Sequence, residues 1–115
     1  MPMDVRLVAL LGSFITARSQ YALARLEFAI HFPDQPSPPV IDRLLEPSER
    51  ALREEWPHLE EQLELAIAFE RRLDRTRRDE MATDEGYRWL QRSLRELDQY
   101  ARAIRWVMTV TEQAE

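Results

Sequence analysis

YRWLQRSLRELDQYARAIRWVM, residues 87–108, is the stretch that decides the fold of this chain. Tyr87, Leu90, Leu94, Leu97, Ala101, Ile104 and Met108 recur at alternating steps of three and four. With 3.6 residues per turn, that spacing keeps one seam of a long helix apolar. The opposite side is a row of arginines, Arg88, Arg92, Arg95 and Arg102, closing on Trp106. A helix with a packing seam on one side and an Arg/Trp stripe on the other is built for contact. The β-branched residues of 107–111 stay in phase with the seam, so the helix is expected to start near Asp84 and fray after Thr111.

The same rhythm appears upstream in Leu52, Trp56, Leu59, Leu63, Ala66 and Leu73. Ser48 precedes that run as a helix cap. Pro57 falls inside it, so either the helix kinks there or a new helix begins with Pro57 in its first turn. Further upstream, a first helix is expected from Asp4, its N-cap, to Phe32, where Pro33 stops it. Its apolar residues Val5, Leu7, Val8, Leu10, Leu11, Phe14, Ile15, Tyr21, Leu26 and Phe28 spread over more than half the circumference. The consistently polar strip is Arg6, Ser13, Gln20, Glu27 and His31. Such a helix needs cover on more than one side. Residues 33–39 form a proline-rich turn, and a short helix from about Pro39 to Glu46 is expected to present Val40, Ile41, Leu44 and Leu45.

These elements predict an all-α fold. It is an antiparallel bundle of three main helices with a short helical or turn insertion near 39–46, all within one domain over residues 1–115. A helix of 29 residues is about 43 Å long. Three such rods make a thin bundle that cannot wrap the first helix fully, and a homodimer is the simplest remedy.

Composition narrows the chemistry. The chain has 115 residues and no cysteine, which excludes disulfides and thiolate metal sites. Lysine and asparagine are also missing against 16 Lys+Arg, all of them arginine, a bias that fits GC-rich coding and a bacterial source. The net charge of −5 is unevenly spread. Residues 46–70 hold eight acids and two arginines, whereas residues 71–105 hold ten arginines and seven acids. A net acidic chain is a poor general binder of nucleic acid or anionic membrane. The apolar stretch from Leu7 to Ile15 lacks a positive segment before it and is short for a membrane span, so a packed helix in the cytoplasm is expected.

Both histidines have acidic company. Glu55 and His58 form an E-x-x-H pair on one helix face, and the first helix carries Glu27 on its polar strip. This set resembles the minimal ligand set of small ferritin-like proteins, whose two-helix subunits pair around a carboxylate-bridged di-iron site. The resemblance implies a metal-binding oxidoreductase with Glu27, Glu55 and His58 as ligands and His31 as a further donor. The other reading makes Glu55 and His58 boundary residues flanking the core. Arg53 and His58 also form R-x4-H, the spacing of a class of helical ribonucleases named for nucleotide binding in higher eukaryotes and prokaryotes. That resemblance implies RNA cleavage at a dimer interface.

Arg71, Arg72, Arg75, Arg77 and Arg78 form the densest basic cluster, but Glu70, Asp74, Asp79 and Glu80 lie among them. An ion-paired helix end explains the cluster, and phosphate binding is the alternative. Arg102 and Trp106, four apart, have the spacing for a cation–π contact. Their face either packs inside the subunit against Glu54, Glu60, Glu61 and Glu64 or lies open as a contact surface. No glycine-rich loop or catalytic triad pattern is present. The sequence therefore points to a non-catalytic adaptor, accessory subunit or regulator without a cofactor. Arg88, Arg92, Arg95, Arg102 and Trp106 are its expected contacts to an acidic protein partner.

Overall fold

Asp4 opens the first helix as expected. Its carboxylate accepts the backbone N–H of Arg6 at 2.7 Å and the Arg6 guanidinium at 3.0 and 3.1 Å. These hydrogen bonds hold the Asp4 carboxyl below the usual carboxylate range. The computed structural model describes residues 4–43, 48–81 and 83–114, without the side chains of 74–80 and 112–114. Three helices carry the described fold: α1 Val5–His31, α2 Glu49–Met81 and α3 Glu85–Ala114. Phe32 closes α1 by donating its N–H to the Phe28 carbonyl at 2.8 Å, one residue before Pro33.

Ser48 caps α2 by accepting the Ala51 N–H on its hydroxyl at 3.1 Å. α2 then runs unbroken through Pro57, whose ring lies exposed. Of the two possibilities raised by Pro57, a new helix starting there is therefore not what forms. A proline in a helix interior forfeits one ladder bond and costs about 3 kcal/mol. Trp56 and Leu59 beside it are buried and hold both halves of α2 to the bundle. At the far end, α3 stays helical through Thr111 to Ala114.

The seams pack as their spacing requires. Leu52, Trp56, Leu59, Leu63, Ala66 and Leu73 of α2 are buried, as are Tyr87, Leu90, Leu94, Leu97, Ala101 and Ile104 of α3. Met108 is only half-buried, and Val107 takes the last core position instead. On α1 the buried arc is Leu7, Leu11, Phe14, Ala17, Tyr21, Ala24 and Phe28. Val5, Val8 and Leu26, also apolar, are exposed.

α1 packs most extensively on α3, and α2 packs on α3 as well. The C-terminal end of α1 meets the N-terminal end of α3, where Phe28 lies 5.2 Å from Phe32 and 6.5 Å from both Phe69 and Tyr87, ring centre to ring centre. α1 and α2 therefore both run against α3 and parallel to each other, and the chain must return along the bundle between them. Roughly 17 residues make that return, reaching at most about 60 Å when extended, against a bundle 50 Å long.

The returning segment is pinned rather than helical. Three α1 side chains, spaced at i, i+3 and i+7, donate to its carbonyls: Arg18 to Arg43 at 2.7 Å, Tyr21 to Pro39 at 2.6 Å and Arg25 to Pro38 at 2.7 Å. From α2, the Gln62 side chain accepts the Asp42 and Arg43 N–H groups at 3.2 Å and donates to the Asp42 carboxylate at 2.8 Å. Ile41 is buried beneath it. The helix expected from Pro39 is thus an extended strap over its described part, 39–43, while Leu44, Leu45 and Glu46 lie outside the described residues. Burial in this contact pushes the Tyr21 hydroxyl above the ordinary tyrosine range and lowers the Arg18 guanidinium below the ordinary arginine range.

Candidate functional site: the outer face of α3

Because the buried seam of α3 is regular, the residues opposite it are committed to the outside. Arg88, Arg92, Arg95, Arg102 and Trp106 are all exposed, and Trp106 keeps 60% of its surface open. About eighteen helical steps of 1.5 Å from Arg88 to Trp106 give this stripe a length of about 27 Å. Its side chains do not pack inside the subunit. The link between α3 and the acidic surface of α2 is made instead by Arg105, which pairs with Glu60.

Two details depart from the sequence reading. Arg102 turns back one helical turn to Asp98, at 3.1 Å, and the described residues contain no cation–π contact with Trp106. Arg92 and Arg95 have no carboxylate partner among the described residues. At the N-terminal end, Arg88 and Arg92 line a shallow groove of about 440 Å³ with Glu27, Glu85 and Trp89. The chemistry of the face is that of planar, permanently charged forks around an open indole. Guanidinium groups take carboxylates in paired hydrogen bonds, and an exposed Trp supplies apolar area at the same spot.

The alternative metal set does not converge. Glu27 lies near the C-terminal end of α1, with its carboxylate 3.8 Å from the His31 Nε2. Glu55 instead acts electrostatically on Arg18, nine residues up α1, and His58 is exposed. Among the described residues, no group of three His, Asp or Glu side chains is gathered to hold a metal ion. Arg53 and His58 are five apart on a continuous helix, so about 140° separates them, and Arg53 pairs with Glu49 at 3.0 Å. Of the basic cluster, Arg71 and Arg72 are exposed, while the side chains of Arg75, Arg77 and Arg78 lie outside the described residues.

His31 has a role that the sequence did not disclose. Its Nδ1 lies 2.8 and 3.1 Å from the two Asp84 carboxylate oxygens. Asp84 simultaneously caps α3 by accepting the Tyr87 N–H at 2.9 Å. A Cβ added at Gly86 would sit 3.1 Å from both Asp84 Oδ1 and His31 Nδ1, so a glycine lets α1 and α3 close here. The pair is separated by 53 residues, and no local spacing signals it. Beside it, Glu70 accepts from Gln91 at 2.7 Å and from the Tyr87 hydroxyl at 3.2 Å, tying α2 to the same corner.

No protein-family model, curated protein or solved structure matches this chain. Function therefore has to be argued from the surfaces themselves.

Proposed function

We propose that this chain is a small non-catalytic interaction protein, an adaptor, accessory subunit or regulator, that is homodimeric and binds an acidic protein surface through the outer face of α3. The observation that carries this reading is the exposure of Arg88, Arg92, Arg95, Arg102 and Trp106 along one stripe. Unlike Arg6, Arg50 and Arg53, whose carboxylate partners are on their own helix or its cap, Arg92 and Arg95 have none among the described residues. Aromatic and arginine side chains together are the pairing enriched where binding energy concentrates. The overall charge of −5 weighs against phosphate backbones as the partner, because their affinity comes from summed positive charge.

The test uses Trp106 as its own reporter. Titration with an acidic amphipathic peptide is expected to shift and quench the exposed indole, with an affinity that falls as salt rises. Trp106→Ala combined with Arg95→Glu should abolish binding while circular dichroism and melting stay unchanged. Binding to single-stranded RNA or duplex DNA but not to the peptide would replace this reading with a nucleic-acid one. Loss of the fold in the double variant would make the stripe structural.

A further inference from the structure

The second unusual surface is the outer face of α1. Opposite its buried arc lie Val5, Val8, Gly12, Thr16, Ser19, Leu23, Leu26 and Ile30, a full-length stripe without one charged residue. Its large members are well exposed: Val5 83%, Leu23 51%, Leu26 62% and Ile30 74%. Its two hydroxyls already donate to their own helix, Thr16 to the Gly12 carbonyl at 3.1 Å and Ser19 to the Ile15 carbonyl at 3.2 Å. Covering the face therefore leaves no side-chain hydrogen bond unmade, which removes the usual cost of burying polar groups. By length and composition α1 is also apolar enough to cross a membrane.

We infer that this face is covered by the same face of a second copy, with the two α1 helices antiparallel and Leu23 of each seated against Gly12 of the other. The inference rests on the homodimeric part of the function proposed above, but not on the α3 stripe. Shape supports it first. Bulk is divided unequally along the stripe, with Leu23, Leu26 and Ile30 in the C-terminal half and Gly12, Thr16 and the shorter Val5 and Val8 in the N-terminal half. A two-fold axis near residues 17–18 sets Leu23 against Gly12, Leu26 against Ala9 and Ile30 against Val5. At Gly12 a Cβ would meet nothing within 4 Å. The site borders a groove of about 540 Å³ reaching across Val8 and Thr16 to Tyr100 of α3. A face with its leucines in one half and its glycine in the other seats those leucines best on a reversed copy of itself.

Charge and area agree with that arrangement. The polar flank of α1 carries Arg6 at one end and Glu27 at the other. Antiparallel pairing brings this flank against its own reverse, so opposite signs approach, whereas a parallel two-fold pair would set it against the other flank. The two helix dipoles also oppose. A strip about 40 Å long and 12 Å wide offers on the order of 500 Å² per copy, so the pair reaches roughly 1,000 Å², about where specific interfaces begin. A membrane is the poorer occupant. Helices that lie on lipid carry a Lys/Arg-rich polar face, whereas this flank mixes Arg6, Ser13, Gln20, Glu27 and His31.

The chain is naturally free of cysteine, so the register is tested directly. Native mass spectrometry and sedimentation of the unmodified chain should give a dimer. Leu23→Arg with Leu26→Arg should weaken self-association by roughly a hundredfold or more, with helix content unchanged because both side chains already face solvent. Gly12→Cys and Leu23→Cys variants, mixed and oxidised, should form a crossed disulfide that neither forms alone, since a disulfide needs Cβ atoms about 4 Å apart. A dimer that persists in the double-arginine variant overturns this face while leaving the homodimer standing. Gly12→Cys linking to itself overturns the antiparallel register. A monomer at tens of micromolar overturns the inference and the homodimer together. A monomer that binds zwitterionic vesicles gives the face to lipid instead. None of these outcomes depends on binding of the acidic peptide.

Discussion

α1 and α3 form the main packed pair of the bundle, yet their outer faces are opposites. The outer face of α3 is arginine-rich with one open indole; that of α1 is uncharged from Val5 to Ile30. Both faces are solvent-facing, so folding demands neither composition. Burial explains the inner seams of both helices, and the outer faces need a different cause. A charged stripe stays soluble while waiting for a partner and loses strength with salt. An uncharged stripe of this extent marks a candidate contact surface whose strength does not fall with salt. On the proposed reading, the α1 face makes the lasting contact between copies and the α3 face the one that forms and releases.

This assignment can be broken from the inside outward. Phe14→Ala opens the α1–α3 core and should cost about 3–5 kcal/mol by chemical denaturation, removing dimer and partner binding alike. Arg18→Ala removes one of the three α1 pins of the strap and should cost about 1–3 kcal/mol, because the Arg43 carbonyl loses its donor. Gly12→Ala separates the two levels of structure. A single chain should gain about 0.5–1 kcal/mol from the better helix former, while self-association weakens as the seat for Leu23 fills. A melting temperature that rises while the dimer is lost would be hard to obtain from any other face.

The smallest effects belong to the α3 stripe and the helix start. Arg92→Ala and Arg95→Ala should each change stability by no more than about 0.5 kcal/mol while lowering affinity for an acidic partner. The Asp4 carboxyl is depressed by its hydrogen bonds to Arg6, so its cap contributes above the ordinary carboxylate range and is lost as pH falls through the depressed value. Helix content measured in acid should therefore fall less between neutral and low pH in Asp4→Ala than in the unchanged chain.

Much of the fold was legible because α2 and α3 each carry one narrow seam, and a narrow seam fixes which side faces inward. α1 was legible only as a helix. With apolar residues over more than half of its circumference, periodicity could not say that Leu11 and Phe14 would be buried and Leu26 exposed. Of the helical and turn forms expected near 39–46, the helical one does not form over 39–43, because the strap's structure depends on Arg18, Tyr21, Arg25 and Gln62, partners lying 13 to 25 residues away. The candidate stripe was visible as a pattern, while the partners of its neighbours were not. Nothing in the spacing tells Arg102 to choose Asp98 over Trp106, and the His31–Asp84 contact joins residues that become neighbours only once α1 is docked.

The pairing of α1 with α3 also has a consequence for synthesis. Within this chain, the most apolar helix leaves the ribosome first and its main packing partner last. More than 50 residues of strap and α2 intervene, and at about 5–20 residues per second α1 waits several seconds with both of its apolar faces bare. The α2–α3 hairpin closes locally, with the Asp84 N–H on the Met81 carbonyl at 2.9 Å, and forms as soon as its second arm emerges. The nascent chain is thus most adhesive just after α1 appears, when a chaperone or the α1 of a neighbouring nascent copy would find both its inner and its outer stripe uncovered.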